Sequence, residues 1–469
     1  MNLKTELLPH QIQAVQKVLP TRISALFMAM GTGKSRTAIE LVYRRLGKFD
    51  HVVYFCPVSL KETVRREILK HTDCTDIHVF NDRTNDRNVP KALWYIVGIE
   101  SMSSSSRVTL AVNYLITPRT FVILDESSYI KGHRSMRTQR ITELSKRAKY
   151  RLILTGTPLS QGVVDLYAQM RFLSPKILGY NSFYSFAANH LEYSEKYPGM
   201  IVRAHNTEYL AAKIQPYVYQ VTKEECLDLP AKLYTTRYFS MTMEQRYYYE
   251  QAKDEILAEL MDDDLDSIAI FRLFGVLQQI TCGFWNRRVR CGKFELLEFE
   301  HHRVDMLLDI IHSIPAGEKV IIWCKYRYDV KQIHATLSEQ FGVDSLALYY
   351  GNLNDRRRNE QEARFHADAR FFVGTMQCGG HGLTLNEACY TIFYNDCFKH
   401  SEHEQAADRN HRIGQERKVT YARIHCVDSI DDRIASALSS KGNVVEQFKR
   451  EVEKVKDKKG GLRELIKSL

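Results

Sequence analysis

At 469 residues the chain is too long for one hydrophobic core, and size alone implies roughly two to four domains. With 44% hydrophobic and 26% charged residues it is neither disordered nor fibrous, and none of its apolar runs reaches the ~20 residues that span a bilayer, so no membrane association is expected. Lys and Arg outnumber Asp and Glu by 66 to 56, a net charge of +10, which suits a polyanionic partner without demanding one.

The opening stretch, MNLKTELLPHQ, lacks the apolar core of a signal peptide. A cytoplasmic protein is expected, of a bacterial, archaeal or virus-infected cell, or a nuclear one if the source is eukaryotic. Ten cysteines are present, none in a C-x-x-C pair, and several sit inside apolar runs such as YFCPV and IIWCK. They read as free buried thiols of a reducing compartment rather than zinc ligands or disulfides. His301-His302 reads as surface histidine, because adjacent residues do not share a helix face.

In chain order, short β-branched and aromatic runs alternate with helical spacing. The first half carries SALFMA (24–29), HVVYFCP (51–57), WYIVGI (94–99), FVILD (121–125) and RLILTG (151–156). Between the first two, Ile39, Val42, Tyr43 and Leu46 recur at helical spacing. The second half carries KVIIWC (319–324), SLALYY (345–350), RFFVGT (370–375), YTIFYN (390–395) and VTYARIHCV (419–427). Continuous apolar strands alternating with helices predict parallel sheets covered on both faces. The fold class is therefore α/β, with two parallel-sheet domains in tandem.

Residues 160–300 break the rhythm with few strand-like runs, and read as inserted helical segments between the two domains. Thr242 and Gln245 stand in capping-box spacing and start one helix. Tyr247-Tyr248-Tyr249 on that helix point three ways and read as packing rather than a stacking platform. MDDDLD (261–266) reads as a solvated loop or helix end. The expected boundaries are a first lobe over 1–165, helical insertions and linker over 166–300, a second lobe over 301–445, and a charged helical tail over 446–469. That tail, broken at Gly460-Gly461, reads as a solvated helix.

Chemistry enters at SALFMAMGTGKSRTAIELVYRRL. A strand-like run feeds Gly31-Thr32-Gly33-Lys34-Ser35, and an amphipathic helix leaves it. Glycines let backbone N–H groups curl around phosphate oxygens, and the helix N-terminus adds partial positive charge. Lys34 then reaches the β- and γ-phosphates of ATP, and Ser35 offers a hydroxyl to Mg²⁺. The first glycine of the usual pattern is replaced by Met28. Downstream, FVILDESSYIK ends an apolar run in two acids. Beside a phosphate loop, Asp125 holds the Mg²⁺ water shell and Glu126 orients and deprotonates the attacking water.

The order of these motifs resembles the superfamily-two helicases, and specifically the Swi/Snf-type ATPases. LLPHQIQAV (7–15) resembles the N-terminal glutamine motif, which implies that Gln11 reads adenine. MAMGTGKS resembles the family's phosphate loop, adding Met30 to the nucleotide contacts. VVYFCPVSL (52–60) is similar to a DNA-contacting segment, with Pro57 and Ser59 matching. DESSYIK stands where the family has Asp-Glu-Ala-His followed by a basic residue, here Lys131. LTGTPLSQ (154–161) resembles the coupling motif, through Thr155, Gly156, Thr157 and Gln161. PYVYQVTKEECLDLPAK (216–232) looks like a basic bridge between lobes. GTMQCGGHGLTLNEA (374–388) resembles the double-glycine motif that touches DNA and nucleotide, through Gly379, Gly380 and Gly382. QAADRNHRIGQ (405–415) matches the segment with Gln405 and the arginines, here Arg409 and Arg412, that the family aims at the γ-phosphate.

The resemblance covers about residues 7–440 and implies two RecA-like lobes, ATP and Mg²⁺, and translocation on double-stranded DNA, forked or branched DNA included. A monomer is expected. The arginines have a reason of their own, since a guanidinium stabilises the charge that phosphoryl transfer builds on equatorial oxygens. Two departures stand out. Ser127-Ser128 replaces Ala-His, which puts coupling in question, and DCFKH (396–400) lacks the usual Trp-Asn-Pro. The rival readings are a strand-separating helicase on single-stranded DNA or RNA, an ATP-gated DNA clamp and a nucleotide-independent structural protein.

Overall fold

In the computed structural model the described residues are 2–156, 158, 162–193, 201–259, 267–289, 293–351, 353–379, 383–440, 443–455 and 461–469. The chain forms two compact units, Met1–Asp228 and Leu229–Leu469.

In the first unit the strands are β1 (Ile23–Met28), β2 (His51–Cys56), β3 (Ile77–Val79), β4 (Trp94–Gly98), β5 (Thr120–Leu124), β6 (Tyr150–Thr155), the short hairpin β7 (Leu191–Tyr193) and β8 (Ile201–Ala204), and β9 (Val218–Val221). Among the described residues one sheet runs β3-β4-β2-β5-β6-β1-β9, all parallel. Side chains alternate between its faces. Ala25, Phe27, Val53 and Phe55 join one core, while Leu26, Met28, Val52, Tyr54 and Cys56 join the other. Helices cover both sides, which is why these strands read as unbroken apolar runs.

The second unit holds β10 (Lys232–Phe239), the hairpin β11 (Phe284–Arg288) and β12 (Phe294–Glu298), β13 (Val320–Cys324), β14 (Leu346–Tyr349), β15 (Phe371–Thr375), β16 (Tyr390–Phe393) and β17 (Val419–Cys426). Its sheet runs β10-β17-β16-β13-β15-β14, again parallel. Val320 and Ile322 face one core, and Ile321 and Trp323 the other. The predicted α/β class with two tandem parallel sheets is what forms, and each strand-like run quoted above becomes a strand. The middle segment differs from its expectation. It supplies helices, but also β9 and β10, which extend one edge of each sheet. An edge strand keeps one side in solvent, so its apolar signal is diluted. On β10, Leu233, Tyr234 and Tyr238 are exposed.

A further apolar cluster joins the helices Met243–Glu259 and Ser267–Thr281 to Ile430–Ser439, Val444–Val455 and Gly461–Lys467. The capping box holds, with Gln245 Oε1 accepting from Thr242 N (3.0 Å) and Thr242 Oγ1 from Gln245 N (3.2 Å). Tyr249 is fully buried and Tyr248 stacks on Phe299, whereas Tyr247 is exposed. Segments 261–266 and 456–460 lie outside the described residues. The tail is not a solvated helix. Val444, Val445, Phe448, Val452, Ile466 and Leu469 are buried, because their apolar side meets the exposed flank of the helical pair. His301 is not a surface histidine either. Its ring lies against Gly283, where a Cβ would come within 2.0 Å of it, and Nε2 meets Gln332 Nε2 at 2.8 Å. Burial pushes its pKa down to about 4. The described cysteines are free and buried or half-buried, as expected.

Candidate nucleotide site

The loop leaving β1 turns on two glycines. Gly31 (φ +76°) and Gly33 (φ +85°) take the left-handed backbone that other residues resist, and Gly33 caps the helix Lys34–Tyr43. Met28, by contrast, closes β1 with an ordinary backbone, so that position has no need of glycine. Thr32 is fully buried and its hydroxyl donates to Ala29 O (2.7 Å). Lys34 Nζ donates to Met28 O (3.0 Å) and Ala29 O (3.4 Å), which curls the ammonium back over its own loop. Gln11 is 3% exposed; its Oε1 accepts from Leu8 N (3.0 Å) and its Nε2 donates to Thr32 O (3.1 Å). His10 also meets Thr32 O, at 2.8 Å. The glutamine motif thus braces the loop.

Across the sheet, β5 ends at Asp125-Glu126. Asp125 Oδ2 accepts from Tyr54 OH (3.0 Å), and Oδ1 accepts from Glu126 N (2.9 Å). Ser35 lies near enough to the Tyr54 phenol to act on its titration, so the phenol stands between the loop and the acid. Burial, and then the neighbouring Glu126, push the Asp125 carboxyl up to about 6, against the pull of Lys34. Glu126 sits at φ +49°, a strained position for a non-glycine residue, and its buried Oε2 has no hydrogen-bond partner among the described residues. Two buried carboxylates short of positive charge, beside a serine hydroxyl, are hard oxygen donors of the kind Mg²⁺ takes. Among the described residues no cluster of three or more His, Cys, Asp or Glu forms a closed metal cage. Such an ion would complete its shell with water and phosphate oxygens.

Thr155 ends β6 fully buried, in register with Phe27 of β1. A Cβ on Gly156 would come within 3.3 Å of Lys34 Nζ and 3.1 Å of Met30 Cγ, so the strand end abuts the phosphate loop. At the end of β2, Pro57 is buried and Ser59 exposed. Thr157, Gln161, Gly380 and Gly382 lie outside the described residues.

In the second unit, Gln405 lies on the helix His400–Ala407, and its carbonyl accepts from Arg409 Nε (2.8 Å). Arg409 and Arg412 converge on one carbonyl, donating to Leu383 O at 3.3 and 2.8 Å. Arg412 also donates to Thr384 Oγ1 (3.0 Å). Asn410 and Gln415 rivet the segment to the loop before β16, through Ala388 O and Asn386 O. Gly379 is held by packing, since a Cβ there would meet the Trp323 ring at 2.2 Å. Sequence reading did not find Tyr54, His10 or Gln169. Tyr54 and Gln169 look like core residues of a strand and a helix, and only the fold brings them to the acids.

A glycine phosphate loop and paired carboxylates at parallel strand ends, followed by a second parallel-sheet unit, define a phosphate-loop protein of tandem RecA-like lobes. The SNF2-related domain matches residues 16–283 and the Helicase conserved C-terminal domain matches 302–414. The chain belongs to the SNF2-related family. It is 26% identical over 337 residues to an uncharacterized ATP-dependent helicase of Mycoplasma genitalium (70% of this chain, 30% of that protein). It is 24% identical over 431 residues to one of Mycoplasma pneumoniae (89% and 39%). It is 26% identical over 369 residues to the ATP-dependent helicase brm of Drosophila melanogaster (70% and 21%). The chain thus spans well under half the length of these relatives. Among solved structures it resembles the Sulfolobus solfataricus SWI2/SNF2 ATPase core in complex with dsDNA, at 22% identity and a TM-score of 0.45, covering 99% of this chain and 97% of that one.

Proposed function

We propose that this chain is an ATP-hydrolysing motor that moves along double-stranded DNA and remodels DNA or protein–DNA complexes, forked and branched DNA included. The observation that carries the reading is the buried Glu126 Oε2, without a hydrogen-bond partner among the described residues, next to Asp125 and Tyr54 and near a glycine loop ending in Lys34. Family membership supports the duplex substrate, and the net charge of +10 suits it.

In this reading the N–H groups of 31–35 and Lys34 hold the β- and γ-phosphates. Met30, Gly31, Thr32 and Gly33 shape the cradle, and Gln11 binds the base from its place against Thr32. Ser35 Oγ and Asp125 would hold Mg²⁺, which would offset phosphate charge. Glu126 takes a proton from the attacking water. From the second unit, Arg409 and Arg412 stabilise the charge on the transferring phosphoryl group, with Gln405 beside them. Thr155, Gly156, Thr157 and Gln161 couple nucleotide state to DNA, and Pro57, Ser59, Gly379, Gly380 and Gly382 contact DNA. The working form is a cytoplasmic monomer.

The test is steady-state ATP hydrolysis with no polymer, duplex DNA, single-stranded DNA or RNA, beside Glu126→Gln. Stimulation by duplex that the variant abolishes is expected. Stimulation by single strands or RNA alone would instead make the chain a strand-separating helicase.

A further inference from the structure

Directly after the acid pair, Ser127 begins a short 3₁₀ turn, Ser127–Ile130, and is fully buried. Its hydroxyl lies 2.6 Å from Gln169 Oε1, on the helix Val164–Leu173. Gln169 is fully buried too. The orientation of its amide is fixed by its other neighbours. Two carbonyls, Pro158 O (2.9 Å) and Asp165 O (3.0 Å), face one end, so that end must be the NH₂ group. The oxygen then points at Ser127, and the serine donates. One amide thereby satisfies a hydroxyl and two carbonyls.

The two segments it joins are the ones that flank the phosphate loop. One carries Glu126, held at positive φ with a bare carboxylate oxygen. The other runs on from Thr155-Gly156, where the glycine abuts Lys34. A turn held in a strained conformation persists only if its surroundings over-determine it. Alanine at 127 could not make this bond.

We propose that Ser127 and Gln169 are positioning residues, a two-bond tie that fixes the Glu126 turn to the Pro158 backbone so that the base and the end of β6 move together. This rests on the ATPase reading only for its catalytic consequence. The tie itself is a property of the unliganded chain. Neither residue touches the reacting atoms.

Three variants test it: Ser127→Ala, Gln169→Leu, and both together. Without nucleotide, hydrogen exchange should quicken at the Glu126–Tyr129 amides when Gln169 is replaced, and near Thr155–Gly156 when Ser127 is replaced. In ATP hydrolysis the single variants should lower kcat about tenfold and leave KM within twofold. The double variant should match the singles, because one chain of bonds is broken either way. Thermal unfolding of each variant separates lost positioning from lost folding, and Ser127→Ala, which removes one oxygen, is the variant least exposed to misfolding. Exchange unchanged across the tie, or losses in kcat that simply add, would overturn the proposal. If the parent hydrolyses no ATP, the ATPase reading fails while the exchange result still decides the tie.

Discussion

In the first unit the turn leaving β1 is Gly31-Thr32-Gly33, with both glycines at positive φ and Gly33 capping the helix that follows. In the second, the turn leaving β13 is Lys325-Tyr326, which opens the helix Arg327–Phe341. Both are strand–turn–helix steps in a parallel sheet, yet side chains close the second one. Lys325 Nζ donates to Gln278 Oε1 (2.7 Å), Asn395 Oδ1 accepts from Lys325 N (2.7 Å), and Asn395 Nδ2 donates to Asp329 Oδ2 (2.6 Å). The fold therefore supplies a place for a phosphate twice, and the sequence opens it once. In the proposed reading the second unit serves phosphate chemistry through Arg409 and Arg412 instead.

The largest effect should come from those arginines. Arg412→Ala should lower ATP turnover by ~10³-fold or more, the scale of an arginine finger, with nucleotide affinity changed only a few-fold. Rapid-quench turnover beside equilibrium binding of a fluorescent ATP analogue separates the two. A drop under tenfold would leave the second unit without a role in the chemistry, and the division of labour would collapse. Next comes Glu126→Gln, which keeps the shape but cannot take a proton. A loss of ~10²- to 10⁴-fold in turnover with nucleotide still bound is expected. Retained turnover would mean that the bare carboxylate oxygen is incidental.

A smaller effect separates the units as folding entities. Gly379→Ala puts a methyl group into the Trp323 ring, in a packed core with no room to give. Overpacking of this kind costs about 1–3 kcal/mol. Hydrogen exchange should show faster opening in β13 and β15 and no change in β1 to β6. Loss spread over both units would say that they unfold as one.

Legibility in the sequence followed what each residue must do alone. The glycine turn into a helix at Gly31 and Gly33, and the strand end at Asp125, could be read because that run of residue types fixes a strand–turn–helix and closes an apolar run. The central strands could be read because burial on both faces forces unbroken apolar runs. β10 could not, since an edge strand with Tyr234 and Tyr238 in solvent has no such run. Tyr54 and Gln169 sit in apolar segments and look like filling, and only strand order and helix packing aim Tyr54 at Asp125 and Gln169 at Ser127. His301 was misread because adjacency in sequence said nothing of Gly283, which leaves room for its ring.

A pH-dependent effect concerns the closed turn itself. Asp329 is fully buried, and its Oδ1 has no hydrogen-bond partner among the described residues. Burial pushes its carboxyl up to about 7 from an ordinary 3.8, against the pull of Asn395 and Arg303. The folded chain therefore keeps a proton that the unfolded chain gives up. By linkage, the stability this group contributes is fully present below about pH 4 and is lost as pH rises through about 7. The change is on the order of a few kcal/mol, at about 1.4 kcal/mol per unit of pKa. Asp329→Asn retains the shape, can still accept from Asn395, and cannot titrate. Of the three tryptophans only Trp94 lies in the first unit, so in a Trp94→Phe background denaturation followed by fluorescence reports the second unit. The parent's stability should decline relative to the variant's between pH 4 and 7. A difference constant across that range would mean that Asp329 is ionised when folded, and that the second turn is a charged site rather than a neutral one.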